Sequence, residues 1–189
     1  MAMSVEDMFW RWCGKRDGFF KRDRAPKLFS CEFLDYLMSE DVKEFISFID
    51  SKRKNIMKEG VDLCVGYVHI LWGGQKETEY VCYFPADDVI GVTVHYYSDY
   101  GLPGKVKEGL PKAFKHRETI DTSRVTLTEE MGVEWNRFYN EWMGVGEVRT
   151  IFSFRRAKRN PDVVVKTLDR AKDKAMHLAN KALEYIESE

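Results

Sequence analysis

The run Val61–Tyr97 constrains this chain most. It reads VDLCVGYVHILW, GGQK, ETEYVCYF, PADD and VIGVTVHYY, three β-rich stretches separated by two short turn signals. Branched and aromatic side chains suit a pleated surface and the Gly and Pro-Asp signals suit reversals, so the run predicts a three-stranded antiparallel meander. In the first stretch both alternating sets are largely apolar, Leu63, Val65, Tyr67 and Leu71 against Cys64, Val68, Ile70 and Trp72. A strand of that kind is expected at the centre of a sheet. Glu77 and Glu79 open the second stretch and predict an exposed start.

The segments around the meander read mostly as helices. Short helices are expected over about Val5–Cys13 and Cys31–Met38, with a basic loop between them that Phe19 and Phe20 pin to the core. Ser39 then caps a longer helix in which Val42, Phe45, Ile46, Ile49 and Ile56 recur at helical spacing. Gly60 ends it at the position where a left-handed backbone is cheapest.

Residues 98–123 lose periodicity and carry Gly and Pro, so they predict a long loop, with at most a helical turn over Pro111–Arg117. Thr126 and Glu129 stand in capping-box spacing before Met131, Trp135, Phe138, Tyr139 and Trp142, which predicts an aromatic-striped helix ended by Gly144 and Gly146. Glu147–Arg155 alternates, Val148, Phe152 and Phe154 against Arg149, Ser153 and Arg155, as a strand with one wet face does. Asn160, Pro161 and Asp162 start a last helix running to about Glu187. Its stripe is Val164, Leu168, Ala171, Ala175, Leu178, Ala182 and Ile186, and the alanines predict close approach to whatever lies beneath.

The expected fold is therefore α+β: an antiparallel sheet of about four strands, the meander plus one later strand, covered by helices, with a long C-terminal helix. Its element order is similar to that of small binding folds, secretion-chaperone-like ones among them. At 189 residues, 44% of them hydrophobic and 32% charged, the chain suits a single globular domain, with residues 1–60 as a helical part packed on the sheet. No apolar run is long enough to span a bilayer, and the acidic N-terminal stretch is unlike a signal peptide. Cys13, Cys31, Cys64 and Cys82 are widely spaced, which reads as four reduced thiols in a cytoplasmic protein with neither a metal site nor a cofactor.

Charge is segregated along the chain. Residues 15–27 carry a net +4, residues 105–117 another +4, and Arg155, Arg156, Lys158 and Arg159 four cations without an acid, inside an overall charge of −1. These clusters suggest an anion-binding face for nucleic acid or an acidic protein, with Lys112, Lys115, Arg117, Arg149, Arg155, Arg156, Lys158 and Arg159 as its candidates. The junction Arg155–Asp162 is the best single case, because a long helix starts there. A lesser constellation comes from strand pairing. Hairpin sums of 149 and 173 place His69, Tyr80, Thr93 and His95 on one sheet face, where histidines could serve acid–base chemistry. A one-residue slip disperses them.

The leading expectation is thus a binding protein for nucleic acid or another polyanion, not an enzyme. The alternatives are an assembly module that forms a homodimer through the alanine-striped helix, and a small-ligand binder or enzyme with a pocket between the sheet and the loop 98–123.

Overall fold

The computed structural model describes residues 41–60, 62–70, 76–98, 101–103, 115–136 and 141–187. The two expected N-terminal helices, the Phe19–Phe20 loop, the basic cluster 15–27, Lys112 and residues Cys13 and Cys31 lie outside them. Helix α1 spans Asp41–Glu59. Its Val42, Phe45, Ile46 and Ile49 are buried, as their spacing requires, and Gly60 follows at φ +65° with its N–H donating 2.9 Å to the Ile56 carbonyl.

The strands are β1 (Leu63–Ile70), β2 (Lys76–Phe84), β3 (Val89–Tyr97), β4 (Leu102–Pro103), β5 (Lys115–Asp121), β6 (Thr126–Asn136) and β7 (Glu141–Ser153). Six form an antiparallel sheet in the order β1-β2-β3-β7-β6-β5, and the two-residue β4 pairs with β7 beyond the end of β3. The sheet is therefore wider than the four strands expected. The meander is as predicted, but β1 is an edge strand and not a central one.

Segments expected to be loop or helix are strands. Residues 126–136, read as the start of a helix, form β6, and with β7 make a hairpin in which Trp135 pairs with Trp142, ring centroids 5.4 Å apart. The strand period competes here with the helical one. Leu127, Glu129, Met131, Val133 and Trp135 alternate with Thr126, Thr128, Glu130, Gly132 and Glu134, and a mid-run glycine disfavours helix. Lys115–Asp121, expected to be loop, is the edge strand β5, exposed over residues 116–121 and so without an apolar alternation to reveal it.

After β7 come α2 (Phe154–Arg159) and α3 (Asp162–Glu187). The α3 stripe is buried at Val164, Leu168, Ala171, Ala175, Leu178 and Ala182. It lies against β7 so closely that a Cβ on Gly144 or Gly146 would overlap the carbonyl oxygens of Ala179 or Ala175. These glycines, read as helix terminators, instead let helix and sheet approach. The core fills the space between the helices and one sheet face, formed by Leu63 and Val65, Val81 and Tyr83, Ile90, Val92 and Val94, and Val148 and Phe152.

Glu79 lies on this core face, 1% exposed, with its carboxylate 2.6 Å from Lys172 Nζ of α3, against the expectation of an exposed start to β2. Cys64 and Cys82 are directly paired across β1 and β2 and joined by a disulfide, so the reading of reduced thiols is corrected for this pair. The disulfide follows from register, and the burial of Glu79 from alternation along β2, where it shares the face of Val81 and Tyr83. The first hairpin pairs residues summing to 146, not 149, with Ile70 opposite Lys76.

Candidate functional site

Ser153 ends β7 and its Oγ accepts a 3.3 Å hydrogen bond from the Arg156 N–H, which turns the chain into α2. Phe154 and Ala157 are fully buried, so the intervening Arg155, Arg156, Lys158 and Arg159 are left outward and exposed. Phe154 packs edge-on against Tyr83, centroids 5.1 Å apart, and its N–H donates 3.0 Å to the Asp88 carbonyl. Lys158 pairs with Asp50 at 2.9 Å and the Arg156 guanidinium sits 6.0 Å from the Phe152 ring. Among the described residues no acid pairs with Arg155 or Arg159, which stand one turn apart on one side of α2.

The same anchorage brings α1 to this ridge. Arg53 donates to both carboxylate oxygens of Asp88, one bond at 3.0 Å through Nε, and its guanidinium lies 5.2 Å from the Phe154 centroid. The Tyr83 hydroxyl donates 2.8 Å to the same carboxylate. Burial pushes the Tyr83 hydroxyl up to about 12, with Asp88 adding to the shift, and the Asp88 hydrogen bond holds Arg53 above its ordinary range. Asp88 adopts φ 54°, the left-handed conformation that Asp tolerates better than most residues. Lys52, Lys54 and Lys58 of α1, the helix that Arg53 ties to this ridge, are exposed. Sequence reasoning passed over them; the signal was the unbroken Lys52–Arg53–Lys54 run inside an amphipathic helix.

The other candidates lie elsewhere. Arg117 and Arg149 occupy the sheet face opposite α1 and α3, where Arg117 meets Glu130 at 3.1 Å and Arg149 meets Glu147 at 3.2 Å. Each guanidinium thus already has an anion. Lys115 pairs with Gly132 at the start of β5. At the α3 start, Asp162 occupies the first turn, 2.7 Å from Lys43, whose hydrogen bond holds the carboxyl below its ordinary range. An acid balanced by a lysine already complements that helix dipole.

Of the histidine group, Tyr80 pairs with Thr93 and His95 with Thr78, as the sum of 173 requires. His69 does not join them. It pairs with Glu77 while Tyr80 pairs with Gly66, an odd offset that assigns His69 to the alternate set. Burial raises the Tyr80 hydroxyl, His95 stands edge-on to Tyr97 at 4.9 Å, and among the described residues no side-chain hydrogen bond links Tyr80, Thr93 and His95. A cavity of about 70 Å³ on this face is lined by Glu130, Gly132, Glu134, Val145 and Glu147. That is well below the roughly 300–1,000 Å³ of ordinary ligand pockets. Tyr97 donates 2.9 Å to Glu134 at its rim, and burial, then Glu134, raises its hydroxyl.

Among the described residues no group of three or more His, Cys, Asp or Glu is placed to hold a metal ion, and no helix is long and apolar enough to cross a membrane. Comparison with known proteins returns no matching family model, no matching curated protein and no matching solved structure.

Proposed function

We propose that this chain is a non-enzymatic binding protein for nucleic acid or another polyanion, and that α2, flanked by the C-terminal half of α1, is its contact ridge. One observation carries the reading. α2 places four cations and no acid in six residues, all four exposed, with Arg155 and Arg159 lacking an acidic partner among the described residues. Arg53, Phe154 and Asp88 tie down the base of this ridge, so little further side-chain freedom is lost there on binding. Arg117 and Arg149 are assigned no part in the contact, since each is held by a glutamate on the far face.

Cations that displace counterions from phosphates bind with a steep salt dependence. Fluorescence-anisotropy titration with labelled single- and double-stranded DNA and RNA at low and high salt tests the reading. Affinity that falls steeply with salt supports it, and absence of binding at low salt overturns it. The homodimer reading loses its motivating feature, because the alanine stripe of α3 is buried against β7 within the chain.

A further inference from the structure

Cys64 and Cys82 face each other directly across the β1–β2 ladder, Cα atoms 4.1 Å apart, with the disulfide between them. Both are partly exposed, while the neighbours on either side, Leu63, Val65, Val81 and Tyr83, are buried in the core. Alternation therefore places the two sulfurs on the sheet face away from α1 and α3, where a small thiol can reach them. Among the described residues β1 is an edge strand that hydrogen-bonds to β2 alone. Among those residues three things hold it to the sheet: its ladder to β2, the burial of Leu63 and Val65, and this single covalent tie.

We infer that Cys64–Cys82 is a thiol-responsive latch on the β1 edge, closed under oxidising conditions and opened by a low-molecular-weight thiol such as glutathione. In the opening step a thiolate of the reductant attacks one sulfur, the S–S bond breaks, and the departing cysteine thiolate takes a proton. A second reductant thiolate resolves the mixed disulfide, so the pair gains two electrons and two protons and the reductant leaves as its own disulfide. Opening removes a cross-link between residues 18 apart in sequence and leaves β1 held by its hydrogen-bond ladder to β2 and by packing. The sheet beyond β2 keeps its own ladders and the whole of its contact with α3. The response is therefore confined to β1 and its hairpin.

The experiment uses the full chain with Cys13→Ser and Cys31→Ser, so that only this pair can report. Thiol alkylation read by mass and amide hydrogen exchange are followed in oxidised glutathione, in reduced glutathione, and after reoxidation. The expected result is no label in the oxidised protein, two labels in the reduced one, and exchange over residues 63–70 that rises on the order of tenfold or more on reduction. β3 and β7 exchange as before, and reoxidation restores protection. A further Cys64→Ser replacement, which cannot close the link, should match the reduced protein. Thiols that stay free in oxidised glutathione would overturn the inference. So would β1 exchange indifferent to reduction, or a loss of protection that spreads through β3 and β7 in the reduced or Cys64→Ser protein.

Discussion

Gly146 of β7 lies directly beneath Ala175 of α3, and a methyl group in place of its α-hydrogen would run into the Ala175 carbonyl oxygen. Gly144 stands in the same relation to Ala179. The obstacle is helix backbone, which cannot rotate aside, so the long helix would have to lift from the centre of the sheet. Gly146→Ala is expected to destabilise the protein by about 3 kcal/mol or more in urea denaturation, at or above the upper end of the usual range for overpacking. Gly91→Ala is the control. Its added Cβ would meet the Phe84 ring edge at 2.7 Å, the far end of a side chain that can shift, and a smaller loss is expected.

The buried pair of Glu79 and Lys172 gives a second outcome. Lys172→Met leaves a carboxylate in the core without its ammonium and is expected to cost about 3–5 kcal/mol. Glu79→Leu combined with Lys172→Met removes both charges and should recover most of that loss. A double-mutant cycle on unfolding free energies checks it, and additive losses would show that the two residues do not act as a pair.

Tyr83 sets an alkaline limit. Its hydroxyl titrates at about 12 in the folded protein against an ordinary 10.0, so the folded state holds the proton more tightly than the unfolded chain. The stability this contributes is complete below pH 10 and is lost as pH rises toward about 12, where a phenolate would face the Asp88 carboxylate. Unfolding free energies of wild type and Tyr83→Phe between pH 8 and 12 should converge as pH rises through that window. A constant difference would contradict the assignment.

The elements legible in the sequence are those whose periodicity has one reading. The α3 stripe from Val164 to Ala182, the α1 spacing closed by Gly60, and the second hairpin with its sum of 173 stand as expected. What was misread had two readings or none. Met131 and Trp135 satisfy a helix and a strand alike, and only pairing with β7 decides between them. β5 is exposed on both faces and carries no apolar alternation. The first register hung on where a turn rich in glycine begins, and the resulting odd offset separated His69 from Tyr80 and brought Cys64 to Cys82. The α2 cations were visible as a cluster, but the approach of α1 to them depends on Arg53 reaching Asp88 across 35 residues of sequence.

The most direct measurement of the central claim is the salt-dependent affinity of an Arg155→Glu/Arg159→Glu variant for labelled double-stranded DNA and RNA beside the wild type. Both side chains are exposed and form no ion pair among the described residues, so the thermal midpoint should be unchanged. The account expects wild-type binding that weakens steeply with salt, a variant at least about tenfold weaker at low salt, and a logarithmic salt slope shallower by about one unit per lost cation. Wild-type binding that the two reversals leave intact would contradict it.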